Sequence, residues 1–157
     1  MPKVKNLDIK LLAKNKKAYS DFEVLEKIEA GLVLVGSEVK SVKDGHAQLR
    51  GSFIEVHHGN AYVKNVHISK YKFDAKADYD PLRRRKLLLH AEQINKIGMQ
   101  LDTKGVAVIP LELHEKHGLV KLIIGVCRGK KKYDKREDLK KKAQNLDAAQ
   151  ALKRFNR

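Results

Sequence analysis

Ser37 and Lys40 are the residues of this sequence whose spacing comes closest to a catalytic motif. They stand as S-x-x-K in Ser37-Glu38-Val39-Lys40, a pattern of serine acyl enzymes in which lysine can activate the hydroxyl. Four positions recur by chance, and the companion elements S-D-N and K-T-G are missing. A serine just before a short helix is more simply its N-cap. We therefore expect that the protein is not an enzyme.

Metal chemistry has equally weak support in the sequence. The candidate ligands are His57-His58, His114-x-x-His117 and the aspartates Asp74, Asp78 and Asp80. The first pair would point to opposite faces of a strand, and the second has no third ligand in place. The aspartates lack the central glycine and terminal glutamate of a calcium loop. With one cysteine, Cys127, no disulfide can form within the chain, and we expect neither metal nor other cofactor.

Two basic runs have the composition of phosphate-binding segments. Arg83-Arg84-Arg85-Lys86 precedes three leucines, and three consecutive arginines repel one another unless an anion lies nearby. The alternative is a solvated turn before a buried element. The second run, Lys130 to Arg136, places Tyr133 among cations, where its ring can stack on a base. We interpret both runs as nucleic-acid contacts.

The charge of the whole chain supports this interpretation. Its 157 residues contain 34 Lys and Arg against 19 Asp and Glu, a net charge of +15, yet 42% are hydrophobic. Such a chain can fold as one domain, and its excess charge suits a polyanion because bound phosphates release counterions. No apolar run approaches 18 residues. We expect a soluble, cytoplasmic RNA- or DNA-binding protein that does not bind a membrane.

More than half of the net charge lies in a C-terminal tail. Residues 128–157 hold 12 Lys and Arg against 4 Asp and Glu. Leu139, Ala143 and Leu146 recur at i, i+4 and i+7, a helical stripe too thin for a core. We predict that the tail, residues 129–157, is disordered in the free protein and helical when bound.

The rest of the chain is predicted as a flexible basic arm at 1–18 and one domain at 19–128. A first run of strand residues is predicted from Phe22 through Leu32–Val35. A hairpin is predicted over Ser52–His57 and Ala61–Ile68. A closing hairpin is predicted over Gly105–Leu113 and Leu119–Cys127, with a bulge or edge at Pro110. A serine-capped helix is predicted at 37–45, a charged loop at Lys72–Asp80, and an amphipathic helix through Ile94, Ile97 and Leu101. This outline is mainly β with accessory helices, an OB-like antiparallel six-stranded β-barrel.

Four blocks carry a resemblance to a known family. They are Glu29-Ala30-Gly31, Gly36-Ser37-Glu38-Val39-Lys40-Ser41, Pro81-x-Arg83-x-Arg85-Lys86-Leu87-Leu88-Leu89-His90, and Gly129-Lys130-Lys131-x-Tyr133-Asp134-Lys135-Arg136. In this order and spacing, from about Asn15 to Arg136, the chain resembles the SmpB family, the SsrA-binding or tmRNA-binding proteins of bacteria. The family fold, an oligonucleotide-binding-type barrel with a C-terminal tail, agrees with the predicted strands.

The resemblance implies a role in trans-translation. The family binds the tRNA-like domain of transfer-messenger RNA (tmRNA) and delivers it, alanine-charged and with elongation factor Tu and GTP, to ribosomes stalled on messages without a stop codon. The tail is implied to become a helix in the decoding centre and the empty mRNA channel, against ribosomal RNA. A monomer is expected.

The resemblance also implies which individual residues of this chain contact RNA. The implied tmRNA contacts are Asn15, Lys17, Glu29, Lys40, Ser41, Asn65, Arg85, Lys86, Leu88 and His90. The implied ribosome contacts of the tail are Lys130, Lys131, Lys132, Tyr133, Asp134, Lys135, Arg136, Lys140 and Lys141. Glu29 is expected to accept hydrogen bonds from base or 2′-hydroxyl donors. The alternatives are a generic OB-fold binder of single-stranded nucleic acid and an enzyme built on Ser37 and Lys40.

Overall fold

The computed structural model of the chain describes residues 9–74, 78–130 and 139–144. The elements in these ranges are β1 (Ile9–Lys14), α1 (Lys16–Asp21), β2 (Phe22–Leu32), α2 (Gly36–Lys43), β3 (Ala47–Gln48), β4 (Phe53–His57), β5 (Asn60–Lys64), β6 (His67–Ile68), β7 (Arg85–Leu88), α3 (Ala91–Leu101), β8 (Val106–Lys116) and β9 (Leu119–Gly129). A further helical segment covers 139–144.

One antiparallel sheet of seven strands forms the body of the molecule, in the order β1-β8-β9-β2-β7-β5-β4, and β3 pairs with β6 beside it. The sheet curls, because β4 lies against β8 and β3 against β1. The prediction of a mainly β fold with accessory helices is confirmed. In the described part of the chain the strands number nine rather than six: β3 and β7 have only two and four residues, and the apolar residues of β1 lie among lysines.

The main core lies inside the curl of the sheet. Its central side chains come from β2, β9, β7 and α3, and include Ile28, Leu122, Ile124, Leu87 and Ile97. In a second, smaller cluster, Ala18 of α1 packs against Leu111 of β8 and Cys127 of β9. This cluster exists because the register of β8 shifts between Pro110 and Glu112, and such a bulge re-aims side chains. The predicted bulge at Pro110 is thereby confirmed.

Residues 9–18 belong to the fold and not to a flexible arm. β1 pairs with β8 from Ile9 to Lys14, and Asn15, only 5% exposed, follows it. The Asn15 side chain donates to the Pro110 carbonyl at 3.0 Å and accepts from the Ala18 amide at 3.1 Å, which caps α1. The prediction of a flexible arm up to residue 18 is therefore wrong from Ile9 onward, because the pairing of β1 with β8 and the hydrogen bonds of Asn15 hold this segment to the sheet. Residues 1–8 lie outside the described ranges.

Both predicted hairpins are confirmed, with tight two-residue turns. His58 and Gly59 join β4 to β5 with φ of 49° and 75°, and His117 and Gly118 join β8 to β9 with φ of 52° and 78°. Two consecutive positive φ angles are the signature of the type I′ turn, whose twist matches that of the strands. The predicted second strand of the first hairpin is divided, because Asn65 has a φ of 63° between β5 and β6.

The segment before α2 differs from its prediction. The strand ends at Leu32, and the expected strand residues Val33 and Val35 are 43% and 45% exposed as the chain leaves the sheet. Ser37 lies inside α2 and does not cap it. Glu38 instead accepts a hydrogen bond from the Val35 amide at 3.1 Å, while Gly45, with φ of 85°, ends the helix as predicted.

The side chains packed around Gly125 leave no space for a Cβ at this position of β9. A Cβ built at this position would lie 2.5 Å from Leu111 Cδ1, 2.9 Å from Leu111 Cγ and 3.0 Å from Cys127 Sγ. We predict that Gly125→Ala lowers the free energy of unfolding by about 1–3 kcal/mol, because the buried neighbours must move. Gly98→Ala in α3 is the control: no atom lies within 4 Å of its Cβ, so a gain of about 0.5–1 kcal/mol is expected. Urea denaturation measures both, and an equal effect of the two substitutions would contradict the packing described.

Candidate RNA interface

A buried carboxylate organises the basic run Arg83–Lys86, which leads into β7. Glu38 lies on the first turn of α2 and is 1% exposed. Its Oε2 accepts hydrogen bonds from Arg85 Nε at 2.8 Å and Arg83 Nε at 3.1 Å, and Arg83 Nη2 also donates to Oε1. The Tyr79 hydroxyl donates to Oε2 at 3.0 Å. The anion that the arginine run requires is therefore a carboxylate of the protein itself.

Arg85 is fully buried and its guanidinium is saturated. Its side chain is 0% exposed. Its acceptors are Glu38 Oε2, the carbonyls of Val66 at 2.7 Å, Arg83 at 3.2 Å and Pro81 at 3.1 Å, and the Tyr79 hydroxyl at 3.0 Å. With five acceptors for five donors, no donor is left to bind a phosphate. The prediction that Arg85 faces RNA is wrong, because the side chain points into the core.

The pKa values of this cluster reflect its charges. Burial alone would raise the pKa of Glu38, but the hydrogen bonds from Arg83, the Val35 amide and Arg85 outweigh it and hold the pKa below its ordinary value. Burial, together with the negative charge of Glu38, raises the pKa of Tyr79. Glu38 is therefore an anion and Tyr79 a neutral donor at neutral pH.

The anchored Arg85 determines which side chains of β7 reach the surface. Side chains alternate along a strand, so Arg85 and Leu87 point inward while Lys86 and Leu88 point outward. Leu88 is 59% exposed and so presents an apolar surface next to Lys86. The guanidinium of Arg84 lies 4.1 Å from the centroid of the Tyr62 ring and extends this surface towards β5.

A cleft opens between the outer faces of β2 and β7. Its volume is about 380 Å³, and its lining includes Glu29, Gly31, Leu88, His90, Gln93 and Lys121. Gly31 pairs with Leu88, and a Cβ on Gly31 would lie 3.1 Å from Leu88 Cβ, so glycine keeps the cleft open. Lys116 Nζ lies 3.6 Å from Glu29 Oε2. The cleft combines an apolar floor with one carboxylate and cations from a second hairpin.

Glu29, Leu88 and His90, three of the predicted RNA contacts, therefore meet in one cleft, with Lys86 on the same face of β7. Lys40 and Asn65 are exposed elsewhere, on α2 and between β5 and β6. Lys17 is exposed on α1 and lines a separate pocket with Lys14, Lys16 and Arg50.

Two other predicted contacts are buried. Ser41 is 1% exposed and donates to the Ser69 carbonyl at 2.6 Å, and Asn15 caps α1. Both are corrected from RNA contacts to structural residues, because their polar groups are already bonded within the protein.

Lys121 and Tyr62 lie at this surface but are not among the contacts predicted from the sequence. Lys121 is a single cation within the apolar run Leu119–Cys127, and an outward position at the edge of a cleft explains it. Tyr62 gave no separate signal, since its contact with Arg84 depends on the register of β5 with β7.

Only part of the predicted ribosome-binding tail is described. Lys130 donates its backbone N–H to the Asp21 carbonyl at 3.0 Å, which holds the end of β9 against the last residue of α1. Lys140 and Lys141 are exposed on the helical segment 139–144, consistent with the helical spacing read from the sequence. The remaining predicted contacts, Lys131, Lys132, Tyr133, Asp134, Lys135 and Arg136, lie outside the described residues.

Within the described ranges, no helix is long and apolar enough to cross a membrane. Over the same residues, no group of three His, Cys, Asp or Glu side chains is placed to hold a metal ion.

The comparison with known proteins is decisive for the family. The sequence model of the SmpB protein matches residues 12–154. The chain belongs to the SmpB family. An SsrA-binding protein of Latilactobacillus sakei subsp. sakei (strain 23K) is 51% identical over 144 residues, covering 92% of each chain. One from Staphylococcus carnosus (strain TM300) is 48% identical over 153 residues, covering 98% of each.

A solved structure shares the SmpB fold with this chain. It is described as "tmRNA-SmpB: a journey to the center of the bacterial ribosome", is 38% identical, and superposes with a TM-score of 0.65 over 76% of this chain and 84% of that one. The family identified from the four sequence blocks is thereby confirmed.

Glu38→Gln tests the buried cluster through its pH dependence. At pH 7 we expect a loss of about 3 kcal/mol in the free energy of unfolding, because Arg85 stays buried without its anion. The folded-state pKa of Glu38 lies below its ordinary value of 4.5, so the wild-type advantage is complete above that pH and disappears as the pH falls below it. The measurement is urea denaturation of both proteins between pH 3 and pH 7, as a difference curve.

Glu26→Gln is the matched control for that curve. Glu26 is 43% exposed and pairs with Lys96 at 2.5 Å, and an exposed pair contributes about 1 kcal/mol or less. A difference curve for Glu38→Gln as small as that of the control would show that the cluster does not stabilise the fold.

Proposed function

We propose that this protein binds the tRNA-like domain of tmRNA through the β2–β7 cleft and delivers it to stalled ribosomes for trans-translation. The observation that carries the proposal is the meeting of Glu29, Leu88 and His90 in one cleft of an SmpB family fold. Its relatives are named for binding SsrA RNA, and the solved relative is described with tmRNA and the bacterial ribosome.

The chemistry of the cleft suits a folded RNA better than a random strand. Proteins that bind single strands without sequence preference use a row of aromatic rings in a basic groove. No Phe, Tyr or Trp is among the described residues that line the cleft. Leu88 offers an apolar contact to a sugar or base face, while Glu29 offers an acceptor that a phosphate would avoid and that a 2′-hydroxyl or base N–H fits. The cleft would therefore recognise the shape of the folded RNA, while Lys86 and Lys121 contact its phosphates.

The tail is proposed to act separately, on the ribosome. Its charge and helical spacing suit an induced helix against ribosomal RNA in the decoding centre and the empty mRNA channel. Lys140 and Lys141 would face RNA from that helix. We further propose that the protein acts in the cytoplasm as a non-enzymatic monomer, with alanyl-tmRNA, elongation factor Tu and GTP. The net charge of +15 for the whole chain supports both RNA partners.

Two variants test whether the cleft and the tail have separate roles, because each variant should lose a different activity. Leu88→Ala removes the exposed apolar contact and should weaken binding of the tRNA-like domain by about tenfold, the value of one buried leucine side chain. Truncation after Lys130 keeps β9 and the Lys130–Asp21 hydrogen bond, so binding should be nearly unchanged at 0.15 M salt while tagging on stalled ribosomes is lost. Gel shifts measure the binding, and a reconstituted tagging reaction measures the second activity.

Met99→Ala is the control, since Met99 is 72% exposed on α3 and outside the cleft. A truncated protein that lost tmRNA affinity to the same degree as Leu88→Ala would contradict separate roles for cleft and tail. Equal wild-type affinity for poly-U and for the tRNA-like domain would favour the generic single-strand binder instead.

A further inference from the structure

A second RNA-compatible surface lies beside α2, on residues that the cleft does not use. Tyr71 and Phe73 are in edge contact, with ring centroids 5.4 Å apart and planes at 69°. Phe73 is 74% exposed, more than any other large hydrophobic side chain among the described residues. An aromatic ring held open to water in this way gives no packing energy to the fold.

A lysine ammonium group lies close to each of the two rings. Lys40 Nζ lies 5.4 Å from the centroid of Tyr71, and Lys72 Nζ lies 4.9 Å from that of Phe73. The chain thus alternates cation and ring over Lys70-Tyr71-Lys72-Phe73. Each ring thus has a lysine ammonium over one face, and exposed rings accompanied by cations are the chemistry of base stacking with neutralised phosphates.

The pair of rings is attached to the body of the protein. Ser41 donates to the Ser69 carbonyl at 2.6 Å, and the Ser69 amide donates to the His46 carbonyl at 3.1 Å. The Asp74 amide closes a turn onto the Tyr71 carbonyl at 2.9 Å. Two residues beyond Ser69, Tyr71 is therefore positioned next to Lys40. A contact site that is already ordered loses less entropy on binding.

The same helix connects this surface to the cleft. α2 carries Lys40 on its exposed side and Glu38 on its buried side, and Glu38 holds Arg85 of β7. The strand that presents Leu88 and the helix that supports Tyr71 are thus fixed to each other by one ion pair. An RNA that contacts both surfaces would therefore meet two sites that are held together by the fold.

We propose that Tyr71 and Phe73 form a stacking site for one unpaired base of the RNA that the cleft binds, with Lys40 and Lys72 pairing with the phosphates beside it. The inference rests on the proposed function, because it takes the tRNA-like domain of tmRNA as the source of that base. One base is captured by stacking here, while the cleft recognises the shape of the folded RNA.

A tryptophan reporter tests the stacking directly. The chain contains no tryptophan, so Phe73→Trp and Met99→Trp each create a single fluorophore, at positions 74% and 72% exposed. The tRNA-like domain should quench the fluorescence of the variant at 73, saturating at the concentration that saturates the gel shift, and leave the variant at 99 unaltered. No quenching at 73, equal quenching at both positions, or quenching at 73 by ribosomes alone would overturn the assignment.

Affinity gives the second readout. Phe73→Leu keeps apolar bulk but removes the flat ring, and should weaken binding of the tRNA-like domain by about tenfold, while Met99→Leu should not. Circular dichroism and urea denaturation confirm that both variants fold. If wild-type protein binds the RNA and Phe73→Leu binds equally well, the stacking site is wrong while the proposed function stands. If wild-type protein does not bind it, both fail.

Discussion

The carboxylate of Glu38 is the group on which the arrangement of the RNA-facing surface depends. It is an anion in a strongly basic chain, removed from water and surrounded by donors from the Val35 amide, Tyr79, Arg83 and Arg85. Burying a charge is costly unless it is paired and fully hydrogen-bonded, and here each guanidinium donor of Arg85 has an acceptor. The cluster connects the helix α2, the loop that carries Tyr79 and Arg83, and the strand β7.

The outward surface follows from this inward anchor. Because side chains alternate along β7, Lys86 and Leu88 face solvent when Arg85 is fixed in the core. Gly31 on β2 has no side chain and so leaves space beside Leu88. A one-residue slip of β7 would bury Lys86 and expose Leu87. The register that presents the cleft is therefore maintained by a salt bridge on the opposite side of the strand.

Sequence patterns were sufficient where local chemistry decides the structure. The two hairpins and the bulge at Pro110 follow from apolar runs divided by glycine-containing turns and from a proline, although β8 continues to Lys116, beyond the predicted strand end at Leu113. Patterns failed where a polar residue is buried by partners far along the chain. Asn15 and Arg85 look like surface residues, but their acceptors at Pro110 and Glu38 are 95 and 47 positions away. The cleft residues Glu29, Leu88 and His90 came from family resemblance, since no periodicity in the chain points to them.

Native-state hydrogen exchange of wild-type protein and of Glu38→Gln tests the central role of this cluster most directly. Exchange reports local opening segment by segment. If Glu38 holds the surface together, the amides of α2 and β7 exchange much faster in the variant, while those of the β8–β9 hairpin change only by the common loss of global stability. Uniform acceleration across all strands, or unchanged protection of β7, would contradict the claim that one buried carboxylate positions the RNA interface.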